Sequence, residues 1–203
     1  LDDDPTGTQT VHDLRVYLGW DVETLASAGT EESVFFVSNN ARSLAPEAAR
    51  CLYRETGRNL AKVFSCSKGG RLRVFLRGDS TLRGHFPLDA EALQEGLRCE
   101  ADGIILVPAF PETGRLTIGG VHLLCENGRV VPVGETEYAR DPLFGYRNSR
   151  LDLWAEEKTQ GRLFPPVRCI GLRELRKDGP EGAASILVQA KHGGVFDADA
   201  ASD

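Results

Sequence analysis

Residues 71–97 have the sequence RLRVFLRGDSTLRGHFPLDAEALQEGL, in which three kinds of segment follow one another. Residues 71–76 contain Val, Phe and two leucines and predict a β-strand. Residues 77–85 form a polar loop with two glycines, and residues 88–97, after the break at Pro87, have the pattern of a helix. A strand, a loop and a helix in this order are typical of an α/β protein.

The same alternation occurs on both sides of this stretch. Residues 33–38 predict a buried strand, and the segment from Pro46 to Thr56 predicts a helix that ends near Gly57. Residues 103–107 predict another strand. The predicted fold class is therefore α/β, with a mainly parallel sheet flanked by helices.

A β-hairpin is predicted as an insertion into this fold. Residues 121–124 and 129–133 are apolar runs on either side of Asn127-Gly128, a dipeptide that favours tight hairpin turns. The remaining predicted elements are a long ordered loop at 135–150, a helix at 151–158, and strands at 167–170 and 185–188.

Polar loops follow three of the predicted strands. They comprise residues 39–43, 77–85 and 108–115, and residues 2–10 join them if Leu1 is the last residue of a first strand. Ligands of parallel α/β sheets bind outside the carboxyl ends of the strands. The sequence therefore predicts one binding site assembled from several strand ends.

The loop at residues 77–85 indicates what kind of ligand this is. It contains two arginines, a carboxylate, two hydroxyls and an imidazole. A guanidinium can fork onto a carboxylate, while Asp, Ser and Thr side chains exchange hydrogen bonds with hydroxyl groups. We therefore expect a small hydroxylated anion, such as a sugar acid.

Five short motifs occur in order along residues 3–136. They are Asp3-Asp4-Pro5-Thr6-Gly7, Arg42-Ser43, Asp79-Ser80-Thr81-Leu82-Arg83-Gly84, Pro108-Ala109-Phe110-Pro111 and Val133-Gly134-Glu135-Thr136. Together they resemble the N-terminal domain of the four-carbon acid sugar kinases. The resemblance implies that an N-terminal α/β domain holds the sugar acid and a C-terminal domain holds ATP and magnesium. It also implies phosphorylation of threonate, erythronate or 3-oxotetronate at the terminal hydroxyl.

The resemblance and the loop chemistry together predict the site residues. Phosphoryl transfer needs a carboxylate that takes the proton of the attacking hydroxyl, and Asp4 and Asp79 are the candidates for this base. No metal ligand and no cofactor-binding residue is predicted in this chain. The predicted substrate-binding residues are Asp3, Asp4, Arg42, Ser43, Arg77, Asp79, Ser80, Thr81 and Arg83.

We expect residues 1–203 to form one sugar-acid-binding domain of a longer protein, truncated at both ends. The sequence contains no G-x-x-x-x-G-K-[ST] loop, so the chain by itself is expected to phosphorylate nothing. Its predicted partners are the sugar acid, its own C-terminal nucleotide-binding domain and a second copy in a homodimer. Glu135 and Glu137 are candidate contacts at the domain junction or the dimer interface.

Composition excludes several other classes of protein. The net charge is −6 and the basic residues are dispersed among acids, which argues against a nucleic-acid partner. No apolar stretch approaches the roughly 18 residues of a membrane-spanning helix. The five cysteines are far apart and form no C-x-x-C pair. We expect them to be reduced, mostly buried thiols in a cytoplasmic protein.

Two alternatives stay open at this point. Asp2-x-Asp4-x-Thr6 also fits the aspartate-nucleophile motif of haloacid-dehalogenase-like phosphatases, in which one carboxylate attacks phosphorus. A non-catalytic sugar-acid-binding or sensor domain would need the same ligand pocket as a kinase. The phosphatase also needs a later Lys and a strand-end acidic pair for magnesium, for which Asp197 and Asp199 are a poor substitute. The sensor would lack the nucleotide domain that a kinase requires.

Overall fold

The computed structural model describes residues 1–64, 72–162 and 166–202 of the chain. These residues form two compact units. The first unit comprises Leu1–Asp79 and Gly84–Glu100, and the second comprises Ser80–Arg83 and Ala101–Asp203. The polar loop at residues 77–85 therefore contributes to both units.

The first unit contains a small parallel sheet, in which the N-terminal residues lie between two other segments. Strand β1 (Val16–Tyr17) pairs with β2 (Phe36–Val37). Asp2 forms parallel bridges with Ser38, directly after β2, and with Arg77. The strand predicted at residues 33–38 is thus shorter than expected. Because Asp2 pairs with Ser38, the polar residues after Asp2 and those after Ser38 leave the sheet at the same edge.

Three helices complete the first unit: α1 (Val22–Glu31), α2 (Pro46–Phe64) and α3 (Leu88–Leu97). Helix α3 has the predicted bounds. Helix α2 is longer than predicted because Gly57 does not end it. A Cβ atom at Gly57 would lie 2.5 Å from the Leu93 carbonyl oxygen, so glycine there lets α2 and α3 approach closely. The buried core of this unit includes Leu25, Val37, Leu60 and Leu93.

The second unit begins with β3 (Gly103–Leu106) and contains the predicted hairpin. Asn127 and Gly128 have φ values of 51° and 74°, as a tight turn between two strands requires. The hairpin prediction is confirmed, although one further strand joins it. The antiparallel sheet consists of β4 (Arg115–Ile118), β5 (Val121–Glu126) and β6 (Arg129–Pro132).

Helix α4 (Leu151–Thr159) leads to the parallel part of the second unit. There β7 (Arg168–Ile170) continues through α5 (Leu172–Leu187) into β8 (Gly194–Ala198), and the strand order is β3-β8-β7. The strand predicted at residues 185–188 is wrong, because residues 185–187 form the last turn of α5. The apolar run at residues 185–188 suggested a strand, but the helix kinks at Gly179-Pro180 and then continues into this run.

Other predictions have mixed outcomes. Of the strand predicted at residues 71–76, residue 71 lies outside the described residues and the rest is extended chain without a regular ladder. The loop predicted at residues 135–150 contains one short 3-10 turn (Glu137–Arg140) and begins at the last residue of another (Val133–Glu135). The prediction of mostly buried thiols is wrong for three cysteines, which are exposed, while Cys66 lies outside the described residues. The exposed cysteines are Cys51, Cys99 and Cys169.

No helix in the described part of the chain has the length and apolar character needed to cross a membrane.

Candidate functional site

Three consecutive acids lie where the first segment of the chain leaves the sheet of the first unit. Asp2 is 0% exposed and Asp3 is 5% exposed, whereas Asp4 is partly exposed. Burying an ionised carboxylate is costly unless it is paired and hydrogen-bonded. The partners of these three side chains therefore determine which carboxylate oxygens can still bind a ligand.

Arg42 holds Asp3 through two hydrogen bonds. Its Nη2 donates to Asp3 Oδ1 at 2.5 Å, and its Nε donates to Oδ2 at 3.2 Å. Burial raises the pKa of Asp3, and the hydrogen bonds and charge of Arg42 oppose that rise. Burial alone would lower the pKa of Arg42, but the neighbouring acids, Asp3 first among them, raise it above its ordinary value. The two side chains form a buried ion pair.

Asp4 has a more polar environment than Asp3. Its Oδ1 accepts hydrogen bonds from the Thr6 amide at 2.8 Å and from the Thr6 hydroxyl at 2.5 Å, and its Oδ2 accepts from Arg42 Nη1 at 3.2 Å. The Thr6 hydroxyl is the main cause that lowers the pKa of Asp4. All three nitrogens of the Arg42 guanidinium thus already donate to Asp3 and Asp4. Bidentate binding of a ligand carboxylate by Arg42 would therefore have to compete with Asp3 and Asp4 for the same N–H groups.

Asp2 is packed beneath the Thr6-Gly7 turn. Its Oδ1 lies 3.4 Å from Arg77 Nη1, and its Oδ2 has no hydrogen-bond partner among the described residues. Burial raises the pKa of Asp2, which the charge of Arg77 partly offsets. A Cβ at Gly7 would lie 2.0 Å from Arg77 Nη1 and 2.3 Å from Asp2 Oδ2, so a larger residue there would displace these side chains.

Local hydrogen bonds fix the backbone that presents Arg42. The Ala41 amide donates to Asn39 Oδ1 at 3.0 Å, and His85 Nε2 donates to the Ala41 carbonyl at 3.1 Å. Burial lowers the pKa of His85, which favours its neutral form. The Ser43 hydroxyl donates to the Asn40 carbonyl at 2.9 Å. The predicted ligand hydroxyl of Ser43 is therefore used within its own turn.

Asp79, the second candidate base, belongs to the same unit. Its negative charge helps to raise the pKa of Arg42, which places the two side chains near each other. Gly78 and Gly84 adjoin the Asp3 carboxylate: a Cβ at these glycines would lie 3.8 Å and 3.5 Å, respectively, from Asp3 Oδ2. We use the name acidic cluster for Asp3, Asp4, Arg42 and Asp79.

Ser80, Thr81 and Arg83 belong to the second unit. The Tyr146 hydroxyl donates to the Thr81 carbonyl at 2.7 Å, and Arg83 Nε donates to Thr81 Oγ1 at 3.1 Å. His122 Nε2 donates to the Ser80 carbonyl at 2.6 Å. These contacts hold the loop backbone, and the ligand contacts of the three side chains stay predictions.

The sequence analysis missed one titratable group near the acidic cluster. Asp89 lies in the first turn of α3, and burial raises its pKa to about 6, with a smaller contribution from the negative charge of Asp3. Tyr53 is buried as well, and its burial, with the charge of Asp89, raises its pKa. An acid at the start of a helix is such a common sequence feature that it carried no functional signal.

The acidic cluster is suited to accept hydrogen bonds from hydroxyl groups. Three carboxylates accompany one guanidinium, and carboxylates only accept hydrogen bonds when ionised. Among the residues that the structure describes, no group of three or more His, Cys, Asp or Glu side chains could hold a metal ion.

Comparisons with known proteins place this chain in a family. A family model described as a sugar-binding N-terminal domain matches residues 1–203. D-erythronate kinase of Heliobacterium modesticaldum is 30% identical over 148 residues, which cover 69% of this chain and 31% of that protein. D-threonate kinase of Bordetella bronchiseptica is 32% identical over 160 residues, which cover 73% and 36%. The chain thus spans about a third of the length of these curated relatives.

Solved structures confirm the α/β fold. A Bordetella bronchiseptica domain of unknown function, crystallised with citrate as a domain-swapped dimer, is similar with a TM-score of 0.66 and 25% identity; the match covers 93% of this chain and 42% of that one. A Haemophilus influenzae protein gives a TM-score of 0.61 at 15% identity over 93% and 48% of the two chains, and shows the fold alone. The chain therefore belongs to the family of sugar-binding N-terminal domains of the four-carbon acid sugar kinases.

Proposed function

We propose that the chain is the substrate-binding domain of an ATP-dependent kinase that phosphorylates a four-carbon sugar acid at its terminal hydroxyl. Threonate, erythronate and 3-oxotetronate are the candidate substrates, and the names of the two kinase relatives support the first two. The observation that carries the proposal is the acidic cluster, in which Arg42 holds Asp3 and Asp4 at a sheet edge. The Asp4 carboxylate, which is partly exposed, can accept a further hydrogen bond from a sugar hydroxyl.

Within the acidic cluster we assign different roles to the two candidate bases. Both oxygens of Asp4 already accept hydrogen bonds, and its pKa is lowered, so it is a weak base. Asp4 is better suited to orient a substrate hydroxyl. Asp79 is then the candidate that takes the proton of the attacking hydroxyl. Asp3, buried and paired, positions Arg42.

ATP and magnesium would be held mainly by the predicted C-terminal domain, as the two-domain plan of the four-carbon acid sugar kinases implies. ATP supplies the phosphoryl group, and the residues of this chain bind and orient the acceptor. A second copy of the chain is a further proposed partner, which the domain-swapped dimer of the Bordetella structure supports. Use of ATP also favours the cytoplasm as the location.

A phosphatase that uses Asp2 as its nucleophile has no support from the geometry. Asp2 is fully buried and its carboxylate faces Arg77 and the Gly7 backbone. A sugar-acid sensor would keep the same ligand contacts, but both curated relatives named above are kinases.

Steady-state kinetics of the two-domain protein test the proposed roles. Asp79→Asn should reduce kcat by about 100-fold or more while the dissociation constant of the sugar acid changes little, since removal of a general base slows the chemical step. Asp13→Asn, which removes the same charge from an exposed side chain outside the acidic cluster, is the control. Equal losses of binding and turnover in Asp79→Asn would make Asp79 a positioning residue instead.

A further inference from the structure

The turn at residues 80–83 carries Ser80 and Arg83, two predicted sugar contacts whose side chains are partly exposed. We propose that His122 and Tyr146, neither of which the sequence predicted as a site residue, are positioning residues that hold this turn in the conformation that binds the sugar acid. The inference rests on the proposed function, because the turn needs a fixed shape only if it contacts a ligand. All four residues belong to the second unit.

The backbone of this turn has an unfavourable conformation at Leu82. Its φ is 65°, in the left-handed region where the side chain of an L-residue crowds the backbone, and Leu82 is buried. A residue other than glycine keeps such a conformation only where the surrounding structure imposes it, and such residues cluster at binding and active sites. The contacts that impose the turn are therefore candidates for a functional role.

His122 donates a hydrogen bond to the first carbonyl of the turn. Its Nε2 lies 2.6 Å from the Ser80 carbonyl oxygen, and its Nδ1 lies 2.9 Å from the Thr117 hydroxyl oxygen. Because a carbonyl oxygen can only accept, Nε2 carries a proton, and Nδ1 of the neutral imidazole then accepts from the Thr117 hydroxyl. His122 and Thr117 are both 0% exposed and lie opposite each other in β5 and β4. A buried neighbour thus fixes the tautomer that holds Ser80.

Tyr146 donates to the next carbonyl of the same turn. Its hydroxyl lies 2.7 Å from the Thr81 carbonyl oxygen, and Tyr146 is buried. Thr81 is 1% exposed, and its hydroxyl accepts from Arg83 Nε at 3.1 Å. Two consecutive carbonyls, of Ser80 and Thr81, therefore accept from buried side chains of two different segments, β5 and the loop before α4. Buried hydrogen-bond networks of this kind favour a single conformation.

The backbone holds both donors in place before any ligand arrives. The His122 amide donates to the Ser149 carbonyl at 2.8 Å, and the Tyr146 amide donates to the Ala139 carbonyl at 3.0 Å. Thr117, which fixes the imidazole of His122, exchanges two backbone hydrogen bonds of 2.9 Å with the residue that follows Asp199. A turn that is fixed in advance binds its ligand with less loss of entropy.

Calorimetric titration of the whole chain with D-threonate, D-erythronate and 3-oxotetronate tests the two residues. Tyr146→Phe removes only the hydroxyl, and His122→Leu removes both ring nitrogens. Each should raise the dissociation constant of the bound acid by about tenfold or more, because a buried carbonyl loses its donor and the turn is no longer fixed. His122→Gln, which keeps an N–H donor at the end of the side chain, should recover most of the affinity. Tyr17→Phe removes the same hydroxyl from β1 of the first unit and is the matched control.

Two further readouts separate positioning from a purely structural role. Thermal unfolding, followed by circular dichroism, sets a temperature at which each variant is folded; a purely structural role lowers the unfolding temperature and the binding stoichiometry but leaves the dissociation constant unchanged. In the two-domain protein, Tyr146→Phe should raise KM with little change in kcat, because binding and not the chemical step is affected. A dissociation constant for Tyr146→Phe or His122→Leu equal to that of Tyr17→Phe overturns the role of that residue while the proposed function stands. If the wild-type chain binds none of the three acids, the proposed function and the positioning roles are both overturned.

Discussion

At the scale of single residues, the pair of Asp3 and Arg42 shows why a buried charge needs a fixed partner. Burial favours the protonated form of Asp3, and two hydrogen bonds from Arg42 oppose this. Removing one member of a buried pair leaves the other charge buried without compensation. The pair therefore affects the stability of the first unit as well as the geometry of the acidic cluster.

Replacing Arg42 should destabilise the chain in a way that depends on pH. Arg42→Gln is expected to lower the free energy of unfolding at pH 7 by about 3 kcal/mol. Without Arg42 the folded-state pKa of Asp3 rises further above its unfolded value. The loss of unfolding free energy relative to the wild type therefore grows as pH rises above about 4 and shrinks toward pH 3. Urea unfolding at several pH values measures it. Arg50→Gln, which removes a partly exposed pair with Glu91, is the control; an equal loss in both variants would contradict the account.

Asp89 should make the stability of the chain decrease with pH. Its folded pKa of about 6 exceeds the ordinary value, so the folded state holds the proton more tightly and stability falls as pH rises from about 4 to 6. Asp89→Asn keeps an acceptor for the Ala90 amide but carries no charge. It should therefore gain about 3 kcal/mol relative to the wild type between pH 4 and pH 7. A difference in unfolding free energy that stays constant over this range would refute the raised pKa.

At the scale of elements, local patterns predicted the structure where local signals dominate. Helix α3 and the Asn127-Gly128 hairpin have clear start and turn residues, and both predictions are confirmed. Helix α1 went unpredicted although Asp21 caps it by accepting from the Thr24 amide, a signal present in the sequence. The end of α2 was misplaced because Gly57 serves packing against α3, and tertiary contacts of this kind leave no local signal.

The crossing of α2 and α3 should not tolerate a side chain at Gly57. Alanine normally stabilises a helix relative to glycine by about 1 kcal/mol. Here the added Cβ meets the Leu93 carbonyl oxygen and the Leu97 amide nitrogen, so Gly57→Ala should instead cost about 1 to 3 kcal/mol. Glu55→Ala, at an exposed position of α2, is the control and should change stability by less than about 0.5 kcal/mol. Chemical denaturation compares them, and a stabilised Gly57→Ala variant would show that the helices are not closely packed.

At the scale of the whole molecule, the sequence predicted several members of the acidic cluster. Asp3, Asp4 and Arg42 were identified because polar residues follow predicted strands, and the structure brings these three together. Their mutual pairing was not predictable, since Arg42 is 39 residues from Asp3 along the chain. Long-range contacts, and not residue types, are therefore what the sequence left undetermined in the acidic cluster.

The central claim is that this chain holds a four-carbon sugar acid and leaves the nucleotide to another domain. Isothermal titration calorimetry of the chain with D-threonate, D-erythronate and 3-oxotetronate, and separately with ATP, tests it most directly. The account predicts that one of the acids binds with a stoichiometry of about one, as expected for a single preformed site, and that ATP produces no binding heat. Binding of ATP, or no binding by any of the three acids, would contradict it.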